Sequence, residues 1–306
     1  PKKRRRLEQA LKTEGIFLEE MGLIASKERD RDRYCAILST KGPGEIRANK
    51  AAKVMSALFH EPYQVSAGSP EYIGSTRKLF IFVKKTGRMA LTGYARAVKE
   101  GEKVSGDNYS FWESEDGRLT AILSDGTGSG EKACEKSGEV LELMEKMLEV
   151  GMKVEAAVDL LNSSCFPGME GWDHPTLDIC DVNLYTGEAY FYKVGGAASF
   201  LRTKEGVEVI RGGMLPVGFL SDLHLCHLKK TLRNGDYLVM VSDGVVDAFG
   251  EAAYEEGVRK ALEEIKEDHP KALAEELIRQ AICAQGGHIP DDMTVLVLGI
   301  FEKNNP

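Results

Sequence analysis

The apolar positions of this chain change period along its length. From about Leu7 to Arg33, the residues Leu7, Leu11, Leu18 and Met21 fall on a loosely shared face, which predicts an amphipathic helix interrupted at Gly15 and Gly22. Such a helix either packs on its own domain or serves as a linker or dimerisation helix. From Tyr34 to about Ala97 the pattern shortens. An apolar run at Cys35–Leu38, a helical stretch around Ala51–Leu58 and strand-like runs at Lys78–Lys84 and Met89–Ala97 predict a small α/β unit. Beyond Gly101, short apolar runs end in turn chemistry at Asp116-Gly117, Asp125-Gly126, Asn234-Gly235 and Asp243-Gly244, the pattern of strands. Two helices interrupt them. One covers about Ser137–Glu149, with Val140, Met144, Met147 and Leu148 on one face; the other covers about Val154–Asn162, with Val154, Ala157, Val158 and Leu161 facing inward. A further pair covers about Glu251–Ile265 and Lys271–Cys283, with Pro270 as the breaker between them. Strands in two groups with paired helices between them predict an α/β sandwich whose helices cover sheet faces. The expected organisation is an N-terminal helix over 1–33, a small α/β region over 34–100 leading into the next sheet, and a main domain over 101–306.

Bulk properties narrow the partners. The 306 residues suffice for one sizeable core and a smaller appended unit. A net charge of −8 argues against nucleic acid. The basic run Lys2–Arg6 reads as a solvated tail, or as the cytoplasmic flank of a preceding membrane segment. No apolar run approaches the roughly 20 residues that span a bilayer, and no signal peptide is present, so a cytoplasmic location is expected. The six cysteines form no C-x-x-C pair and read as free thiols in a reducing compartment. Leu223-His224-Leu225-Cys226-His227 lacks partners at zinc-site spacing.

Chemistry enters with apolar strands that stop at a carboxylate. Leu119–Ser124 ends in Asp125-Gly126, Tyr237–Ser242 ends in Asp243-Gly244, and Asp291-Asp292 opens the run Met293–Phe301. Taken singly, each is a plain turn. Arithmetic brings the first pair together: Asp107 and Asp125 each stand nine residues from Asp116, which turns the chain between them. Residues equidistant from an antiparallel turn face each other, so two carboxylates meet at the open end of this hairpin. Like charges so placed repel unless a cation lies between them. A strand ending at Asp243 beside one beginning at Asp291 repeats the arrangement. With all these strand ends on one side, the site is an all-oxygen set of carboxylates and the Gly126 carbonyl, suited to Mg²⁺ or Mn²⁺ rather than zinc. Two such ions about 3.5–4 Å apart would share Asp125, activate water and clamp a phosphate for in-line hydrolysis.

Competing motifs fail. Gly126–Lys132 lacks the Gly-Lys-Ser/Thr ending of a P-loop and the spacing of a dinucleotide fingerprint. No Asp-Gly site carries the alternating acids of an EF-hand, and no Cys-x5-Arg loop suggests a cysteine phosphatase. The glycines fit a backbone that passes close to a bound anion before a helix begins.

Four segments in order, Val104-Ser105-Gly106-Asp107-Asn108-Tyr109-Ser110, Ser124-Asp125-Gly126-Thr127-Gly128-Ser129-Gly130, Ser242-Asp243-Gly244 and Asp291-Asp292-Met293-Thr294, resemble the PPM-type metal-dependent protein serine/threonine phosphatases. More narrowly, they resemble the stage II sporulation protein E branch, with Lys193–Ala197 and Leu215-Pro216-Val217-Gly218 matching its framework. The resemblance covers roughly Leu79 to the C-terminus. It implies a PPM-type α/β/β/α sandwich of two antiparallel sheets flanked by helices, and two Mn²⁺ or Mg²⁺ ions. Asp125 would bridge both ions and the Gly126 carbonyl would bind one. Asp243 and Asp291 would hold the first metal, and Asp107 would serve the second. Asp292 would stand behind, in a role exchangeable with Asp291. The implied substrate is phosphoserine on a small STAS-type anti-anti-sigma protein, whose dephosphorylation activates a sporulation sigma factor. Full-length members of that branch carry a multi-pass membrane region before the cytoplasmic part. The helices within Ser137–Asn162 correspond to ones assigned a switching role there. One departure is Thr127-Gly128-Ser129-Gly130, where Met-Gly-Asn-Gly is common. All the carboxylates remain, which weighs against the alternative of a non-enzymatic regulator with the same fold.

Overall fold

A computed structural model of the chain describes all residues except 1, 27–31, 127, 165–175, 213–226, 251–253 and 304–306. The chain divides into two compact units, one of residues 1–87 with the short segment Glu115–Gly117, the other of the remainder.

The first unit contains α1 (Lys2–Thr13), β1 (Ile16–Ile24), β2 (Arg33–Thr40), β3 (Ile46–Arg47), α2 (Ala48–Phe59), β4 (Tyr63–Val65), β5 (Tyr72–Ile73) and β6 (Lys78–Lys84). Its main sheet has the order β1-β2-β6-β4, and α1 and α2 bury Leu7, Leu11, Ala51 and Met55 with Ile16, Leu38 and Phe80 of the strands. The expected helix over Leu7–Arg33 is therefore corrected. It ends at Thr13, Gly15 turns the chain at φ +77°, and Ile16–Ile24 becomes an edge strand paired with β2. Leu7 and Leu11 are each only 2% exposed, so the apolar face of α1 is covered within its own unit. The basic run is helical rather than a free tail: Arg4 donates to the Glu19 carbonyl at 2.9 Å, and the Lys3 ammonium lies 5.2 Å from the centre of the Phe59 ring. The expected boundaries at 33 and 100 also move. Pairing of β1 with β2 merges the first two regions, and the second unit begins at Arg88.

The second unit contains β7 (Arg88–Ala97), β8 (Asn108–Glu113), β9 (Arg118–Ser124), α3 (Glu131–Glu149), α4 (Val154–Ser164), β10 (Leu177–Asn183), β11 (Glu188–Val194), β12 (Ser199–Thr203), β13 (Gly206–Ile210), β14 (His227–Thr231), β15 (Asp236–Val241), α5 (Asp243–Asp247), α6 (Tyr254–Glu264), α7 (Pro270–Ala284) and β16 (Met293–Glu302). Two five-stranded antiparallel sheets form, ordered β14-β11-β10-β9-β8 and β13-β12-β15-β16-β7. Alternation along each strand sends one set of side chains between the sheets and the other beneath helices. Leu119, Ala121 and Leu123 meet Leu238, Met240, Leu296 and Leu298 between the sheets. Ile122 and Ile179 pack instead under Val140, Met144, Val158 and Leu161 of α3 and α4. Val239, Val241, Val295 and Val297 pack under α5, α6 and α7. Each fully buried leucine such as Leu298 contributes about 1.5–3 kcal/mol. The α/β/β/α sandwich is the architecture expected above.

The turn dipeptides divide by role. Asp116-Gly117 closes the β8–β9 hairpin, whereas Asn234-Gly235 carries the chain from β14 in one sheet to β15 in the other. Asp243-Gly244 is not a hairpin turn: it opens α5, with Ser242 at the N-cap position. Pro270 stands at the start of α7, where its missing N–H has no intrahelical partner to lose. Cys35, Cys134, Cys180 and Cys283 are free thiols, and the remaining two cysteines lie outside the described residues. Leu215–Gly218 and Leu223–Cys226 lie outside them too. Among the described residues, no helix is long and apolar enough to cross a membrane.

Candidate metal centre

The β8–β9 register pairs Asn108 with Ser124 and Glu113 with Leu119, so Asp107 and Asp125 occupy the next rung at the open end of the hairpin. β15 and β16 pair as far as Val241 and Val295, and the Ser242 amide donates to the Thr294 carbonyl at 3.0 Å. Past that bond the chain enters α5 with Asp243, whose neighbour Gly244 packs directly on the backbone of Asp292 and on Asp291. The two sheets thus deliver Asp107, Asp125 and Asp243 to one place, with Asp291 and Asp292 beside them.

The electrostatics are those of anions crowded together. Asp125 is pushed up to about 10, first by burial and then by the charges of Asp107 and Asp243. Asp107, 1% exposed, is pushed up to about 6 by burial, with the charge of Asp292 acting in the same direction. The hydroxyls of Thr294 and Ser242 oppose that shift. None of these groups reaches hydrogen-bonding geometry with Asp107, whose two carboxylate oxygens are both buried without a partner. A buried carboxylate left in that state costs several kcal/mol, and a bound cation removes the cost.

The donor set fits a hard divalent ion on that observation. Among the described residues no group of three or more His, Cys, Asp or Glu side chains is placed to hold an ion by itself. A site shared with water suits Mg²⁺, which usually keeps several waters and takes one or two carboxylates. Asp292 is differently employed. Its Oδ2 accepts from the Gly106 amide at 2.8 Å and its Oδ1 from the Lys99 amide at 3.0 Å, so its oxygens are spent on orienting backbone. Asp291 stays half-exposed, and its Oδ1 faces the Lys99 ammonium at 3.4 Å.

Supporting contacts tie the ligand-bearing strand ends to α3. Ser137 donates to the Gly106 carbonyl at 2.5 Å, and Asn108 donates to the Cys134 carbonyl at 2.8 Å. Gly126 is buried where a Cβ would stand 2.5 Å from the Ala133 carbonyl oxygen and 2.9 Å from that of Gly106. We expect Gly126→Ala to lose about 1–3 kcal/mol in urea unfolding, since neither backbone atom can give way without moving α3 or β8.

A groove of about 600 Å³ opens beside Asp243, lined by Gly195, Gly196, Arg211, Tyr254 and Glu255. Its Gly195–Ala198 wall is fixed from beneath by a buried ion pair. The Lys193 ammonium, 1% exposed, binds Asp178, the Ala197 carbonyl at 2.7 Å and the Ser199 hydroxyl at 2.8 Å. Neither this pair nor Lys99 was singled out from sequence. A lysine within the apolar strand Glu188–Val194 was the available signal.

The sequence pattern of the stage II sporulation protein E (SpoIIE) family matches residues 115–301. The chain is 32% identical to stage II sporulation protein E of Bacillus subtilis (strain 168) over 301 residues, covering 97% of this chain and 36% of that protein. It is 31% identical to the Priestia megaterium protein of the same name over 216 residues, covering 70% and 37%. The chain therefore spans little more than a third of the length of either relative. Among solved structures, it is similar to the PP2C phosphatase domain with a fragment of the regulatory domain of SpoIIE from Bacillus subtilis. The two share 27% identity at a TM-score of 0.74, over 99% of this chain and 88% of that one.

Proposed function

Because the chain belongs to the stage II sporulation protein E family of PPM-type phosphatases, we propose that its second unit is a metal-dependent protein serine/threonine phosphatase. The observation that carries this reading is Asp107: two buried, unpartnered carboxylate oxygens beside Asp125 and Asp243, an anionic cluster that a divalent cation completes. In this reading Asp107, Asp125, Asp243, Asp291 and the Gly126 carbonyl hold two Mn²⁺ or Mg²⁺ ions. When bound, these ions supply Lewis acidity toward the phosphoryl oxygens and activate water.

The chain's own residues perform the rest. Asp125 holds the centre of the cluster, and Asp292 keeps the Gly106–Asp107 backbone aimed at it. The groove beside Asp243 admits a phosphorylated segment; on its wall the Arg211 guanidinium is paired with Glu255, to which its Nε donates at 2.7 Å. Water then displaces the serine oxygen, and inorganic phosphate leaves. The proposed substrate is phosphoserine on a STAS-type anti-anti-sigma protein, with activation of a sporulation sigma factor as the outcome. Such a substrate places the reaction in the cytoplasm.

The test is phosphate release from a phosphorylated STAS-type protein. Turnover with Mn²⁺ that falls to background in EDTA is the expected result. A folded protein that releases no phosphate at any Mn²⁺ concentration would instead be a non-enzymatic regulator.

A further inference from the structure

Lys99 lies outside every motif that marks the site, yet the structure delivers its ammonium to the site's edge. Its backbone is pinned from several directions. The Lys99 amide donates to Asp292 Oδ1 at 3.0 Å, and the next amide, of Glu100, donates to the Ile289 carbonyl at 2.9 Å. In return the Glu100 carboxylate accepts from the Ile289 amide and faces His288 Nδ1, both at 3.2 Å. The segment after β7 is thus laced to the segment before β16. From that fixed base the Lys99 ammonium stands 3.4 Å from Asp291 Oδ1, with the two side chains 36% and 50% exposed.

We infer that Lys99 is a built-in counter-cation of the centre, which competes with an incoming divalent ion for Asp291 and so sets its metal affinity. The inference rests on the metal-centre reading above. An ion at Asp291 and an ammonium on the same carboxylate repel each other, so loading requires Lys99 to withdraw. The four-carbon stem permits that withdrawal while the backbone stays bound to Asp292. Because the ion pair is half-exposed, the competition is moderate, and removing it shifts affinity rather than abolishing folding. Lys99 is accordingly a positioning residue with an electrostatic effect, not a group that touches substrate.

The test is Mn²⁺ binding by isothermal titration calorimetry on the full chain, which needs no turnover. Lys99→Met is expected to bind Mn²⁺ about three- to tenfold more tightly than wild type, and Lys99→Arg within about twofold of it. In an Asp291→Asn background, Lys99→Met should bring no such gain, because the contested carboxylate is gone. Thermal melts in EDTA show whether each variant is folded. Equal or weaker Mn²⁺ binding by folded Lys99→Met would overturn the proposal while leaving the metal centre intact. Failure of every variant and the wild type to bind Mn²⁺ would overturn the metal-centre reading and this proposal together.

Discussion

Asp125→Asn is expected to reduce phosphatase turnover by at least about 10³-fold while making the metal-free protein more stable. The two effects share a cause. Asp125 is raised to about 10 by burial and by Asp107 and Asp243. An acid whose pKa is higher in the folded than in the unfolded chain takes up a proton on folding. It therefore weakens the fold progressively as pH rises from its ordinary value, near 3.8, toward about 10. At neutral pH in EDTA, the amide removes that burden, worth about 1–2 kcal/mol after relaxation, and raises the melting temperature by roughly 2–6 °C. With Mn²⁺ present the order reverses, because wild type gains binding energy that the variant has lost. Melting curves of both proteins at pH 5 and pH 8, with and without Mn²⁺, check this. A variant less stable than wild type in EDTA would mean that the three acids do not repel as described.

The largest stability loss is expected at a residue with no part in the chemistry. Lys193→Met should cost about 3–5 kcal/mol, because it strands Asp178 in the core without its cation. Asp178 is 2% exposed, and its Oδ1 already lacks a hydrogen-bond partner, so no reserve of solvent is at hand. The double variant Lys193→Met/Asp178→Leu should recover most of the loss, since replacing both charges removes the stranded one. Urea unfolding of the single and double variants measures both numbers. A single-variant loss below about 1 kcal/mol would show that water reaches Asp178. Activity has its own reading here: the pair holds the Gly195–Ala198 wall of the groove, so the double variant should show KM raised more than kcat lowered.

What was legible in the sequence depended on whether the signal was local. The β8–β9 register follows from a short turn at Asp116-Gly117 and from alternation on both sides, so the meeting of Asp107 and Asp125 could be counted out in residues. The inward faces of α3 and α4 followed from helical spacing, and Val140, Met144, Val154 and Leu161 are buried as that spacing predicts. The first element misled for a physical reason. Leu18 and Met21 continue the spacing set by Leu7 and Leu11, but they sit on a strand whose alternation is broken by a bulge between Leu18 and Glu20. Gly15 was the better guide, since a glycine in the left-handed region commonly ends a helix. Lys99 was beyond reach, because its partner is fixed by packing between distant segments, whereas Lys193 and Asp178 face each other on one rung of the β10–β11 hairpin and were open to the same counting that joined Asp107 to Asp125. Asp291 and Asp292 were indistinguishable as letters. Their backbone surroundings separate them, one half-exposed and one closed around two amide donors.

The pairing of β7 with β16 carries a consequence for biosynthesis. The ladder runs from Arg88 opposite Glu302 to Ala97 opposite Met293, joining the first strand of the second unit to its last. On the ribosome, β7 emerges long before β16, its one neighbour in that sheet among the described residues, exists. Until residue 293 and its successors leave the exit tunnel, the sheet has an open edge, and Asp291 has no strand to anchor it. The carboxylates of the cluster therefore come together only after residue 293 has been made, in a step that falls long after β7 is complete. Chains with high sequence separation between paired strands fold slowly, so that step is also where chaperone demand and aggregation risk concentrate.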